Sequence, residues 1–257
     1  MRNATPEDKA RRDKELFDRI ATAYASKDLY GPSRIAREVR LLQTLTKATP
    51  RADLDLLEIG CGAGFAAEYL YGRYRTYTGI DYSTELIQYA RNRNKHSHAS
   101  FHPVDLFEFR AESNYDLIFM IGVLHHMIDI SLAIKTCYSF IRPGGYLVVN
   151  EPQPANTIFS WLRAIRAKID ASYSDEQEEL TNLELQELFL HAGFISIKSF
   201  PQGLFSTPFA EVMIPPQFLA KPLSMAACQI DRGLEQALPN FLKELSWNII
   251  VVGEKAS

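Results

Sequence analysis

Two apolar periods alternate along this chain. Residues 6 to 26 place Leu16, Phe17, Ile20 and Tyr24 on one helical stripe, and after a DLYGPS turn a second helix carries Ile35, Val39, Leu42 and Leu45. From Asp53 the pattern changes: LDLLEIG reads as a strand, residues 65 to 71 as a helix, TYTGID as a strand, STELIQYARNR as a helix, and SFHPVD and YDLIFMIG as strands. DISLAIKTCYSFI is then a helix and GYLVVNE a strand. This rhythm predicts an α/β fold with a doubly wound parallel sheet covered on both faces.

Past Glu151 the rhythm breaks. Residues 155 to 169 form a basic amphipathic pattern, with Phe159, Trp161, Leu162 and Ile165 on one face and Arg163, Arg166 and Lys168 beside it. A lid over a site, packing on the sheet and contact with a membrane surface compete for it, with the lid favoured. Thr181-Asn182-Leu183-Glu184 fits a capping box that opens a helix, and Gly193 fits its stop. FISIKSF reads as a strand, residues 201 to 222 as a loop holding five of the 13 prolines, about 225 to 238 as a helix, and SWNIIVVGE as the last strand.

Composition narrows the function classes. With 46% hydrophobic residues, 23% charged and a net charge of −3 over 257 residues, the chain is too apolar for disorder and too balanced to bind nucleic acid by charge. Its longest apolar run, Leu117 to Leu124, falls far short of the ~20 residues that cross a bilayer, and its charged N-terminus is unlike a signal peptide. A cytoplasmic location is expected. Cys61, Cys137 and Cys228 are odd in number and widely spaced, so free thiols are expected and neither a disulfide framework nor a metal site.

Glycine is scarce, yet Gly60, Gly62 and Gly64 fall within five residues, between a strand and a helix. There a bare backbone can approach a ligand and helix N–H groups stand unpaired. The spacing is GxGxG; a dinucleotide loop would need glycine where Phe65 stands, and no lysine follows as a phosphate loop requires. Glu58 precedes the loop, where a carboxylate repels pyrophosphate but suits a cationic ligand. Asp81 ends the next strand, in place to accept both hydroxyls of a ribose, and Asp105 closes the third.

LLEIGCGAG, GIDYS, PVDL, YDLIFMIGVLHHM and FIRPGGYLVV together resemble, in order and spacing, the motifs of class I S-adenosylmethionine-dependent methyltransferases. The resemblance is close over about residues 53 to 151 and looser through FISIKSF and WNIIVVGEK. It implies a Rossmann-like sheet of seven strands, mostly parallel with the last antiparallel. It also implies a single methyltransferase domain over 1–257: a helical cap at 1–50, a cofactor-binding core at 53–151, lid and recognition segments at 152–245 with a strand at 194–200, and a last strand at 246–254. By the same resemblance Gly60, Cys61 and Gly62 pass beneath the cofactor's methionine part, Gly64 belongs to the same cofactor-binding loop, and Glu58 holds that loop or reaches the cofactor's amino group through water. Asp81 accepts the ribose hydroxyls, Tyr82 lies against the adenine, Asp105 and the Leu106 backbone read its edge, and the Ile121 carbonyl faces the ammonium.

Because a sulfonium methyl is already electrophilic, the protein must align a nucleophile, exclude water and remove a proton. His125 and His126 follow the fourth strand at the ligand-binding edge of the sheet and are the candidate bases. Helical geometry turns them about 100° apart, so one alone is expected to face substrate, with His126 slightly favoured. Pocket shaping is the competing role for both. Tyr24, Tyr30 and Arg34 or Arg40 are candidates to close over the cofactor's carboxylate. Aromatic and aliphatic residues in the late segments, such as Phe205, Phe209 and Phe218, favour a small apolar or amphipathic acceptor, lipid-like molecules included, and O-methylation. A non-catalytic cofactor-binding or partner-binding protein and, behind it, a nicotinamide dehydrogenase are the alternatives.

Overall fold

The structure, a computed structural model, describes residues 6–49, 51–154 and 180–257. The basic pattern at 155 to 169 therefore lies outside the described residues. Two helices, α1 (Pro6–Leu29) and α2 (Gly31–Ala48), lead into β1 (Leu54–Ile59), α3 (Phe65–Tyr69), β2 (Tyr74–Asp81), α4 (Thr84–Arg93), β3 (Ala99–Pro103) and β4 (Tyr115–Ile121). A 3₁₀ turn at Leu124–His126, α5 (Ile130–Phe140) and β5 (Ile141–Pro152) follow. After the undescribed stretch come α6 (Asn182–Ala192), β6 (Ile195–Gln202), α7 (Thr207–Glu211), α8 (Gln217–Ala237), α9 (Pro239–Leu242) and β7 (Asn248–Glu254).

The seven strands form one sheet in the order β3-β2-β1-β4-β5-β7-β6, in which β7 runs antiparallel to both of its neighbours. This is the expected Rossmann-like sheet of seven strands, parallel up to β5. Its middle strands are buried on both faces, which is why they read as unbroken apolar runs. Leu57, Ile118, Met120 and Val149 pack beneath Ile134 and Cys137 of α5 and Leu185 and Phe189 of α6. Leu56, Leu117, Phe119 and Val148 point the other way, against Leu41 and Leu45 of α2, Ala67 of α3 and Ile87 of α4. All three cysteines are buried and free.

Local signals fix the helix starts. Ser83 Oγ accepts from Leu86 N at the head of α4, and Asp129 Oδ1 from Leu132 N at the head of α5. The capping box of α6 is reciprocal between Thr181 and Glu184, and Gly193 ends the helix at φ 99°.

One expectation fails. Residues 201 to 222 are not a loop: α7 lies inside them, and α8 begins at Gln217, eight residues before the expected start. Pro208 falls in the first turn of α7, where its missing N–H costs nothing. Pro216 precedes α8, and packing on α2 outweighs the single Pro222 within it. That packing is close because α8 turns small residues inward, Ala220, Ser224, Ala227 and Cys228, and Ser224 Oγ donates to Pro32 O at 2.8 Å. Asp231 of α8 is buried as well, and its carboxylate accepts the N–H groups of Leu204, Phe205 and Ser206 and the Ser206 hydroxyl. The turn that opens α7 is thus held from α8.

Candidate active site

The site lies at the C-terminal edge of the parallel strands, where β1 and β4 end in sharp turns. At β1 the chain reverses through Gly60 and Gly62 at φ 70° and 51°, and the N–H groups of Gly60 and Cys61 both donate to Ile80 O. A side chain at position 60 would sit 2.4 Å from Val123 Cγ2, so the loop and the turn after β4 are packed backbone to side chain. Gly64 answers to other neighbours. A Cβ there would meet Ala90, Asn94 and Phe101, so the bare backbone lets α3 approach α4 and β3.

Two buried carboxylates flank the loop. Glu58 accepts the Tyr77 hydroxyl, and burial with Asp81 nearby pushes its pKa up to about 8 against that hydrogen bond. Asp81 Oδ2 accepts Gly62 N at 2.9 Å and Oδ1 accepts Ser83 N at 2.8 Å; burial still raises its pKa to about 6.

At β4 the chain turns through Gly122 at φ 66° into the 3₁₀ turn that presents the two histidines. Glu151, in the neighbouring strand β5 and 1% exposed, organises this turn. Its Oε1 accepts Val123 N and Leu124 N at 3.0 and 2.8 Å, while Oε2 meets His125 Nδ1 at 2.6 Å. Burial alone would raise the Glu151 pKa, but the His125 ring and the backbone donors outweigh it and hold it below the usual carboxylate range. His126 is pinned from the other side, its Nδ1 3.1 Å from Asp13 Oδ2 of α1 and its ring edge-on to Phe17. Burial depresses the His126 pKa although Asp13 opposes the shift.

Both histidines line a single cavity of about 190 Å³, contrary to the expectation that one alone would face it. Their rings are 4.2 Å apart because each is drawn by a different carboxylate, so wheel geometry does not govern them. Glu58, Gly60, Cys61, Gly62, Ile121 and Gly122 form the floor of the cavity. Gly64, Asp81, Tyr82, Asp105 and Leu106 are not in its wall. Asp105 instead turns back to accept Phe107 N at 2.8 Å, Leu106 is buried in the core, and Tyr82 packs edge-on to Phe17. The α1 helix covers this flank, with Ser83 Oγ donating to Asp18 Oδ1 and Thr22 Oγ1 within 2.6 Å of Tyr89 Oη.

The opposite wall is built from α1, α2 and α7. Arg37 pairs with Asp28 and lies over the Tyr24 ring, and Tyr69 donates to Asp28 Oδ1 at 3.2 Å. Arg40 Nη1 meets Glu211 Oε1 at 2.6 Å. Of the cap residues expected here, Tyr24 and Arg40 reach the cavity; Arg34 points to Glu68 and Tyr30 donates to Ile214 O, both outside the cavity wall. Glu151, Arg37, Asp28 and Glu211 were not anticipated. Glu151 stands at a strand end facing the same edge as Asp81, the one signal that could have marked it.

These groups suit a ligand with an ammonium: a buried carboxyl group at Glu58 in the cavity wall, and a loop at Gly62 that leaves only Tyr24 near, 3.6 Å from where a Cβ would stand.

Residues 57–149 match the family model described as a methyltransferase domain. The nodulation protein S of Rhizobium tropici is 33% identical over 135 residues, 51% of this chain and 56% of that protein. A fatty-acid O-methyltransferase of Mycolicibacterium smegmatis is 28% identical over 130 residues, 48% of this chain and 47% of that one. The chain thus spans about half the length of these curated relatives. Among solved structures, an S-adenosylmethionine-dependent methyltransferase of Thermotoga maritima, described as a possible histamine N-methyltransferase, superposes with a TM-score of 0.64 at 18% identity, covering 95% of this chain and 99% of that one.

Proposed function

We propose that the chain is a class I S-adenosylmethionine-dependent methyltransferase that moves the methyl group to a hydroxyl of a small amphipathic molecule, a reading supported by the match of residues 57–149 to a methyltransferase domain. The observation that carries this reading is the His125–Glu151 pair on the cavity beside the glycine loop.

When bound, S-adenosylmethionine supplies an electrophilic methyl carbon on sulfur. Glu58, Gly60, Cys61, Gly62 and Ile121, which line the cavity, would hold its methionine part, and Asp81, Tyr82 and Asp105, at or just past the neighbouring strand ends, would meet its ribose and adenine. Ionised Glu151 would hold the proton of His125 on Nδ1, which would leave Nε2 as the accepting nitrogen of a residue that lines the cavity. Nε2 would take the proton of the acceptor hydroxyl as its oxygen receives the methyl group, leaving a methyl ether and S-adenosylhomocysteine. His126 is the weaker base, since its depressed pKa and bond to Asp13 suit a cavity wall.

Phe17, Leu41, Phe65, Ile121 and Trp247 provide the apolar part of the cavity, and the paired charges of Arg37, Asp28, Arg40 and Glu211 its polar end, which together suit an amphipathic acceptor. The name of the mycobacterial relative, a fatty-acid O-methyltransferase, supports oxygen as the atom methylated. Calorimetry with S-adenosylhomocysteine and transfer of a labelled methyl to a panel of hydroxylated fatty acids and phenols test the reading. Binding together with label on a hydroxyl is expected; label appearing only on nitrogen, or no binding, would overturn it.

A further inference from the structure

Beyond the histidines, two residues that line the cavity carry buried donors that folding leaves unused. Arg40 Nη1 is committed to Glu211, but the other edge of the guanidinium, Nε and Nη2, makes no hydrogen bond among the described residues, and Nε is closed off from solvent. Nη2 stands beside the β4 turn, 3.8 Å from where a Cβ of Gly122 would lie. Asn248, at the start of β7, is 3% exposed, lines the same cavity, and its Nδ2 has no partner.

Leaving a buried donor unpaired is unfavourable, and more so when it is charged. Two on one cavity point to a ligand that satisfies them. Both are donors and one is cationic, so the complement is an anion with oxygen acceptors. The Nε–Nη2 edge is moreover the one through which a guanidinium forms two parallel bonds to a carboxylate. Arg37 offers no such edge, because its Nη1 is taken by Asp28 and its Nε by Ala210 O at 3.1 Å. Glu211 holds the Arg40 guanidinium in place without using that edge.

We propose that the acceptor is a hydroxy acid whose carboxylate is held by the Nε–Nη2 edge of Arg40 and by Asn248 Nδ2, while its hydroxyl meets His125. The inference rests on the methyl-transfer reading and narrows its substrate class. The carboxylate is a handle and not the atom methylated, so carboxylate and hydroxyl are separate groups of one small molecule.

The test uses the full chain saturated with S-adenosylhomocysteine, titrated calorimetrically with 3-hydroxybenzoate, 4-hydroxybenzoate and 6-hydroxyhexanoate, each beside its uncharged amide. At least one acid is expected to bind about tenfold or more tightly than its amide. Arg40→Met and Asn248→Asp should abolish that preference, and Arg40→Lys, which keeps the charge without the fork, should weaken it. S-adenosylhomocysteine affinity should stay within about twofold in all three variants. Asn248→Asp and Arg40→Lys keep the test decisive if Arg40→Met does not fold. Acids and amides binding alike, or neither binding while S-adenosylhomocysteine does, would overturn the proposal. So would a tenfold loss of S-adenosylhomocysteine affinity in the Arg40 variants, which would give the edge to the cofactor's own carboxylate. Failure of the wild-type chain to bind S-adenosylhomocysteine would instead remove the methyl-transfer reading beneath it.

Discussion

The two walls of the cavity are made by different means. The floor, from Gly60 to Gly62 and from Ile121 to Gly122, is backbone: turns at positive φ, stitched to Ile80 and packed against Val123. The far wall is side chain: Arg37 with Asp28 and Arg40 with Glu211, the latter pair 171 residues apart in sequence. A backbone floor admits almost no substitution and suits a constant ligand. A wall of ion pairs can be rewritten one residue at a time, which suits a variable one.

Four experiments bear on this contrast, in order of expected effect. Gly60→Ala forces a Cβ into Val123 at a φ that alanine resists, and should cost about 3 kcal/mol of stability and eliminate S-adenosylhomocysteine binding; thermal melting and calorimetry read both, and a tolerated alanine would erase the distinction between the walls. His125→Asn should lower kcat about 100-fold at unchanged S-adenosylhomocysteine affinity, with Glu151→Gln following it less steeply. Equal losses in kcat and cofactor binding would make the pair part of the floor. Asp28→Asn strands Arg37 and should cost about 2 kcal/mol in chemical denaturation, while leaving cofactor affinity within about twofold.

The smallest effect is one of pH. The ammonium group of the ligand favours ionised Glu58, whose pKa stands near 8, so binding below that pH releases a proton. Affinity for S-adenosylhomocysteine should therefore rise with pH from 6.5 to 8 by no more than about tenfold per unit, then level off. Glu58→Gln should flatten that rise, and Asp81, near 6, adds a similar dependence only at lower pH. A flat wild-type profile would detach Glu58 from the ligand's charge.

The same division explains what could be read from the sequence. The floor was legible because its parts are local: three glycines in five residues, a carboxylate two residues before them, and two histidines directly after a strand. The parallel sheet was legible for the same reason, since each strand is its own apolar run. Glu151 escaped notice because what ties it to His125 is a strand pairing between β4 and β5 and not any spacing along the chain. The Arg40–Glu211 pair leaves no trace in the sequence because the prolines around α7 mask its helical pattern, and only its docking beside α2 brings position 211 to position 40. Wheel geometry misplaced the histidines because it ignores partners on α1 and β5.

Asp231 gives the far wall one more property. By gripping three consecutive amides from a helix that lies elsewhere, it fixes where residues 204–206 stand whatever side chains come after them. The end of α7 thus stands on a rigid mount: Thr207 and Ala210 are buried, and Ala210 packs against α2 and α8, while Glu211 faces the cavity, so a change at that one position rewrites the wall and leaves α8 and the reaction floor as they are.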